Sequence, residues 1–273
     1  MDQNTPRRPV VADRFYPGDP GVLREQVAGY MRSAGERSQQ PTLLAMAPHA
    51  GYVYSGLVAG TTLALANLAD TILLLGPNHT GQGAPLSLWS GGDWAVPGGS
   101  VAVDRKLVAR LAEKEPRLTP DMGAHLGEHS LEVMLPFLAA DNPGVRIVPL
   151  AVAERNPNTL ISVGKAVAEV LAEWPEPVSL VVSSDMSHYV SDKEARRLDR
   201  LALDAIEALD PARLYEVVRS NGITMCGVLP MVLALTASLA LGAKTARVAT
   251  YATSGEVSGD YDRVVGYAGV LVE

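Results

Sequence analysis

The chain has 273 residues, 47% of them hydrophobic and 19% charged, with a formal charge of −7 and a single cysteine. That composition is ample for a buried core, rules out an intrachain disulfide framework, and argues against a nucleic-acid partner, because no basic stripe or basic tail is present. The lone thiol fits a reducing cytoplasm, and Met1 to Pro6 carries no apolar signal-peptide core.

Residues 1–8 are mostly polar and read as a mobile tail, leaving 9–273 as one domain. Arg14 to Pro20 is a turn, and Asp19 before Pro20 predicts a helix to about Ser33. Leu43 to Ala47 reads as a strand, Leu57 to Leu68 as a helix, and Thr71 to Leu75 as a second strand. Residues 81–103 are rich in Gly and Pro with short alternating runs, which predicts small strands or a hairpin covering the site. Helices are expected from Asp104 to about Glu115 and from Ser130 to Ala140, then a strand at Arg146 to Val152. A helix from Asn158 to Trp174 precedes a strand at Val178 to Ser183. Asp192 opens a strongly charged helix to Leu209, and Asp210-Pro211 opens another to about Arg219.

Gly222 to Ala243 carries no charge and is long enough to be checked as a membrane span. Its start reads as a loop and it contains Pro230, so Val228 to Leu241 is expected as a buried core helix and no membrane partner is implied. The last strands are Ala246 to Tyr251 and Val264 to Val272, joined by a link too short for a helical crossover and hence antiparallel. Strands alternating with helices predict a three-layer α/β/α domain around a mixed, largely parallel sheet.

Three apolar runs end in residues able to bind a metal or move a proton. Leu43–Ala47 leads to His49, Ile72–Leu75 to His79, and Leu180–Val182 to Asp185 and His188. In open α/β sheets ligands bind beyond the carboxyl ends of the strands, so these groups can meet in one crevice. Neutral imidazole is a common metal ligand. Cys226, ahead of the late apolar helix, suits a thiolate ligand, a nucleophile served by His188, or a plain buried side chain. Asp185 and His188 share a face if their segment turns helically, with His188 as general acid or base and Asp185 orienting it or joining the site. His125-Leu126-Gly127-Glu128-His129 matches H-x-x-E-H, but Gly123 and Gly127 argue against the continuous helix a zinc peptidase needs. Glu128 and His129 are expected to present polar groups to the same pocket.

Several of these segments together resemble the Memo family, also called AmmeMemoRadiSam system protein B. They are Pro48-His49-Ala50-Gly51-Tyr52-Val53-Tyr54-Ser55-Gly56, Gly76-Pro77-Asn78-His79, Glu128-His129-Ser130-Leu131-Glu132, Ser183-Ser184-Asp185-Met186-Ser187-His188-Tyr189 and Cys226-Gly227. Arg14-Phe15-Tyr16-Pro17 and Val264-Val265-Gly266-Tyr267 extend the resemblance almost end to end. The chain departs from the pattern at Asp13, where Gly is expected, and within Pro97-Gly98-Gly99.

The resemblance implies a fold similar to the LigB-type class III extradiol dioxygenases. It implies metal ligands at His49, His79 and Cys226, with iron as the expected cofactor and copper or zinc as alternatives. Asp185 and His188 would be catalytic, and Glu128, His129 and Tyr54 would line the substrate pocket. Cysteine in place of a carboxylate softens the site and sets it apart from the 2-His-1-carboxylate oxygenases. Two other readings follow: a ligand or phosphopeptide module without turnover, as associated with a vertebrate member, and a metal-independent Cys226–His188 catalyst. The family name also implies functional links to AMMECR-type and radical-SAM proteins.

Overall fold

A computed structural model describes residues 5–273 of the chain. The strands are β1 (Leu44–Ala47), β2 (Thr71–Pro77), β3 (Leu86–Leu88), β4 (Trp94–Val96), β5 (Gly99–Val103), β6 (Thr119–Pro120), β7 (Arg146–Val152), β8 (Val178–Ser183), β9 (His188–Val190), β10 (Ala246–Thr253) and β11 (Val264–Val272). The helices are α1 (Pro20–Arg32), α2 (Tyr52–Leu65), α3 (Arg105–Lys114), α4 (Gly123–Leu126), α5 (Leu135–Asp141), α6 (Pro157–Glu173), α7 (Asp192–Glu207), α8 (Pro211–Ser220), α9 (Val228–Ala240) and α10 (Gly255–Ser258).

The sheet order is β10-β11-β1-β8-β2-β7-β3-β6, with β5 also on β7, β4 on β5 and β9 on β11. β1, β8, β2 and β7 run parallel, while β11 is antiparallel to both β1 and β10. The central strands are buried along their length, which is why they read as continuous apolar runs. α1, α2 and α5 cover one face; α3, α6, α8 and α9 cover the other, with α7 against β10 and β11. This is the expected α/β architecture with a mixed, mostly parallel sheet.

Capping explains the sharp helix starts. Asp19 accepts from the Gly21 and Val22 amides, Asp104 from Leu107, and Asp210 from Arg213. α9 is apolar on all sides because it is buried against α6 and the sheet. Among the described residues no helix is long and apolar enough to cross a membrane.

Several details differ from expectation. α2 begins at Tyr52, directly behind His49-Ala50-Gly51, rather than at Leu57. The stretch 130–140 is not one helix: a 3-10 turn, Glu132–Met134, leads into α5, whose second residue is Pro136. Residues 81–103 do form β3 and the β4–β5 hairpin, but they line a hollow against α1 and α5, and none lines the histidine cavity. Gly98, at φ +88°, closes that hairpin after Pro97, a position where a side chain would be strained. Asp13, where the family resemblance implies Gly, also sits at positive φ, +63°, and its carboxylate accepts the Gly18 amide at 2.8 Å.

The polar tail divides in two. Residues 1–4 lie outside the described residues. Arg7, by contrast, is 1% exposed and bridges to Trp94 beside β4. Its guanidinium pairs with the buried Glu132 and lies 4.3 Å from the Trp94 ring centroid. Glu132 also accepts from the Val10 and Val11 amides and from the Tyr16 hydroxyl. Hydrophobic periodicity carries no signal for such a contact, because the energy comes from pairing buried charges.

Candidate metal centre

β1, β8 and β2 are neighbours and point the same way, so their carboxyl ends open on one edge. A cavity of about 240 Å³ lies there, lined by Phe15, His49, His79, His129, Asp185 and His188 among others. A larger hollow of about 400 Å³ under α1 is walled mainly by proline and aliphatic residues and offers no comparable chemistry. Four of the chain's five histidines therefore face one small space.

Three of them form a set. One ring nitrogen each from His49, His79 and His129 lie within 4.8 Å of one another. The His79 and His129 rings stack at 4.9 Å, and His49 stands edge-on to both. Burial holds His49 neutral, its pKa lowered to about 4, and lowers His129 as well. Burial also works against charging His79, but the Glu128 hydrogen bond and charge outweigh it and raise that pKa.

Glu128 does not line the cavity. It is buried behind His79, with Oε1 2.9 Å from His79 Nδ1 and 2.9 Å from both the His129 and Ser130 amides. Its second oxygen takes the His79 amide. Burial alone would raise this carboxyl, yet these donors hold it at about 2. A carboxylate only accepts, so His79 Nδ1 carries a proton and, in the neutral ring, Nε2 is left as a lone pair. Carboxylate behind imidazole is the arrangement that orients metal-binding histidines. The residues present therefore suit a transition-metal ion of the kind nitrogen ligands favour.

Cys226 is adjacent but outside the three-histidine set. Its sulfur lies 3.4 Å from His49 Nε2 and accepts the Asp185 amide at 3.2 Å. Gly227 permits this approach, since a Cβ there would meet Ser184 Cβ at 2.3 Å. Burial pushes the thiol pKa well above its ordinary value, the reverse of the lowering expected from a helix N-terminus. The imidazole beside it is His49, whereas His188 Nδ1 faces the Thr224 carbonyl at 3.1 Å. The Cys226 thiol thus faces His49 rather than His188, and burial works against its thiolate.

Asp185 and His188 reach the cavity by extended chain, not by a helical turn. His188 begins β9, and its amide donates to Thr224 Oγ1 at 2.7 Å. Asp185 Oδ1 accepts the His49 amide at 2.8 Å. Tyr54 is 42% exposed and lines an adjoining hollow of about 560 Å³ that shares Phe15 and Gly51 with the histidine cavity. Phe15, whose ring packs edge-on to His129 at 4.9 Å, and the exposed Tyr189 also line the cavity; both lie in segments that carry the family resemblance, but neither was expected as a pocket residue.

His125 belongs elsewhere. It is fully buried between Trp89 and Trp94, and its Nε2 donates to the Ser87 carbonyl at 2.9 Å. α4 ends at Leu126, so H-x-x-E-H is broken and no inverted-zincin site forms. Burial lowers the His125 pKa to about 4. The unfolded chain, with a pKa near 6.5, binds that proton first, so stability is lost as pH falls from about 6.5 towards 4. His125→Gln is expected to flatten that decline by on the order of 3 kcal/mol, read from urea midpoints at stepped pH. An unchanged pH profile would place the lost stability elsewhere.

Comparison with known proteins gives the family. The Memo-like protein family pattern matches residues 7–271. A MEMO1 family protein of Methanopyrus kandleri is 38% identical, covering 97% of this chain and 98% of its own. Relatives from Aquifex aeolicus and Methanosarcina barkeri are 39% and 40% identical, over 97% and 98% of this chain and 98% and 100% of theirs. The crystal structure of an uncharacterized protein from Escherichia coli K12 superposes with a TM-score of 0.51 at 12% identity, covering 82% of this chain and 98% of that one, a likeness of fold. The chain belongs to the Memo family.

Proposed function

We propose that this protein is a metal-dependent oxidoreductase of dioxygenase-like type, working at the cavity between the ends of β1, β8 and β2. The observation that carries the reading is the convergence of three imidazole nitrogens within 4.8 Å at the wall of a cavity of about 240 Å³. His49 and His79 would hold the metal. The third position falls to His129, which completes the all-nitrogen set, or to Cys226, which the family resemblance favours and which sits 3.4 Å from His49 Nε2. Iron is the ion this reading names first, with copper or zinc accommodated by the same donors. The metal, when bound, would supply redox or Lewis-acid chemistry at an open position.

The chain's own residues would do the rest. His188 donates Nδ1–H to the Thr224 carbonyl, so its Nε2 is free to take or give a proton in the cavity. Asp185 holds the His49 backbone, and Phe15 and Tyr189 help line the cavity. Anaerobic purification followed by metal quantification tests the reading. Stoichiometric metal is expected in the wild type and loss of it in His49→Ala, with oxygen consumption as the second readout. Equal metal content in the two proteins removes His49 as a ligand.

A second reading, binding without turnover, is supported by the adjoining hollow with Arg14 and the exposed Tyr54. Its ligand would be a small molecule or a peptide, and AMMECR-type or radical-SAM proteins are the partners the family name suggests. Binding that survives chelation favours this reading; binding that requires metal favours the first.

A further inference from the structure

The hydroxyl of Ser183, the last residue of β8, is fully buried and makes two short contacts. Its Oγ lies 2.6 Å from His49 Nδ1 and 2.7 Å from the Ser130 carbonyl oxygen. A carbonyl can only accept, so the single hydroxyl hydrogen is committed to Ser130, and towards His49 the oxygen presents a lone pair. His49 Nδ1 must then carry the ring proton. Its Nε2 is left bare, and that is the atom facing the Cys226 sulfur.

We propose that Ser183 is a positioning residue that fixes His49 in the Nδ1–H tautomer, so that the ring offers Nε2 to the cavity. Glu128 does the same for His79 from the other side. Ser130 links the two acceptors. Its carbonyl takes the Ser183 hydrogen, its amide donates to Glu128 Oε1 at 2.9 Å, and its hydroxyl donates to the Pro77 carbonyl at 3.0 Å, two residues before His79. One hydrogen-bonded frame across the ends of β8 and β2 thus sets both rings alike before any ligand arrives. Pre-setting matters because a ring in the wrong tautomer must shift its proton before that nitrogen can donate to a ligand.

The tautomer itself is read by two-bond 15N–1H correlation spectra of the metal-free protein at neutral pH. The expected wild-type pattern for His49 is Nδ1–H. In Ser183→Ala it moves towards Nε2–H, and in Ser183→Thr, which keeps the hydroxyl, it stays as in the wild type. Titration with Zn(II) or Co(II) is expected to show about 10–100-fold weaker binding in Ser183→Ala. An Nε2–H pattern in the wild type overturns the proposal, as does an unaltered pattern in Ser183→Ala. The wild-type spectrum decides the tautomer even if neither variant folds. Only the titration rests on the metal-site reading: an Nδ1–H wild type that binds neither ion sustains the role of Ser183 and ends the metal assignment.

Discussion

Arg7→Met is expected to cost the fold about 3–5 kcal/mol, the range found when one partner of a buried ion pair is removed. The substitution leaves the Glu132 carboxylate, fully enclosed, without its cation. It also removes the guanidinium's donation to the His125 carbonyl at 3.1 Å and to the Glu128 carbonyl, and its stacking on Trp94. Methionine refills much of the volume, so the loss reports charge and hydrogen bonding more than a cavity. Urea unfolding should show a lower midpoint with an unchanged slope. Arg7→Met combined with Glu132→Gln should recover part of the loss, because the uncompensated charge is then gone. A single variant within about 1 kcal/mol of the wild type would mean the pair contributes no more than a surface bridge.

Glu128→Gln is the second large effect, and it is expected at the site. The amide oxygen, placed at Oε1, can still accept from His79 Nδ1 and from the His129 and Ser130 amides, so the tautomer has a substitute partner, but the NH2 then faces the His79 amide, which loses its acceptor. The charge disappears as well. Burial then acts on His79 against only the remaining attraction of Asp185, and its pKa should fall in an NMR titration. Metal affinity should drop about 10–100-fold, the usual penalty for losing a partner of this kind. Unchanged affinity together with an unmoved His79 would show that the carboxylate tunes neither.

Much of the fold is legible in the sequence. β7, β8 and β11 coincide with their apolar runs, since a strand buried on both faces has no polar positions to blur its limits. Asp19, Asp104 and Asp210 mark helix starts by accepting first-turn amides, two for Asp19 and one each for the others. The limits of α2 and the 3-10 turn at Glu132 were less visible. Tyr52 enters its helix because its amide donates to the Phe15 carbonyl at 2.7 Å, a contact far off in the chain.

The site divides the same way. That His49, His79, Asp185 and His188 gather at one sheet edge is written in the sequence, because each follows a strand, and parallel strands present their carboxyl ends together. His129 was expected at the pocket; that its ring joins His49 and His79 in one nitrogen set, while His125 four residues earlier does not reach the site, was decided by the tertiary structure. The loop between them is turned by Glu128, which binds both the backbone and the ring of His79. It is held from behind by Arg7, more than a hundred residues earlier in the chain. Local patterns encode where a chain leaves the sheet; the partners of a buried charge are chosen only once distant segments share the same dry space, where an unpaired charge is too costly to leave.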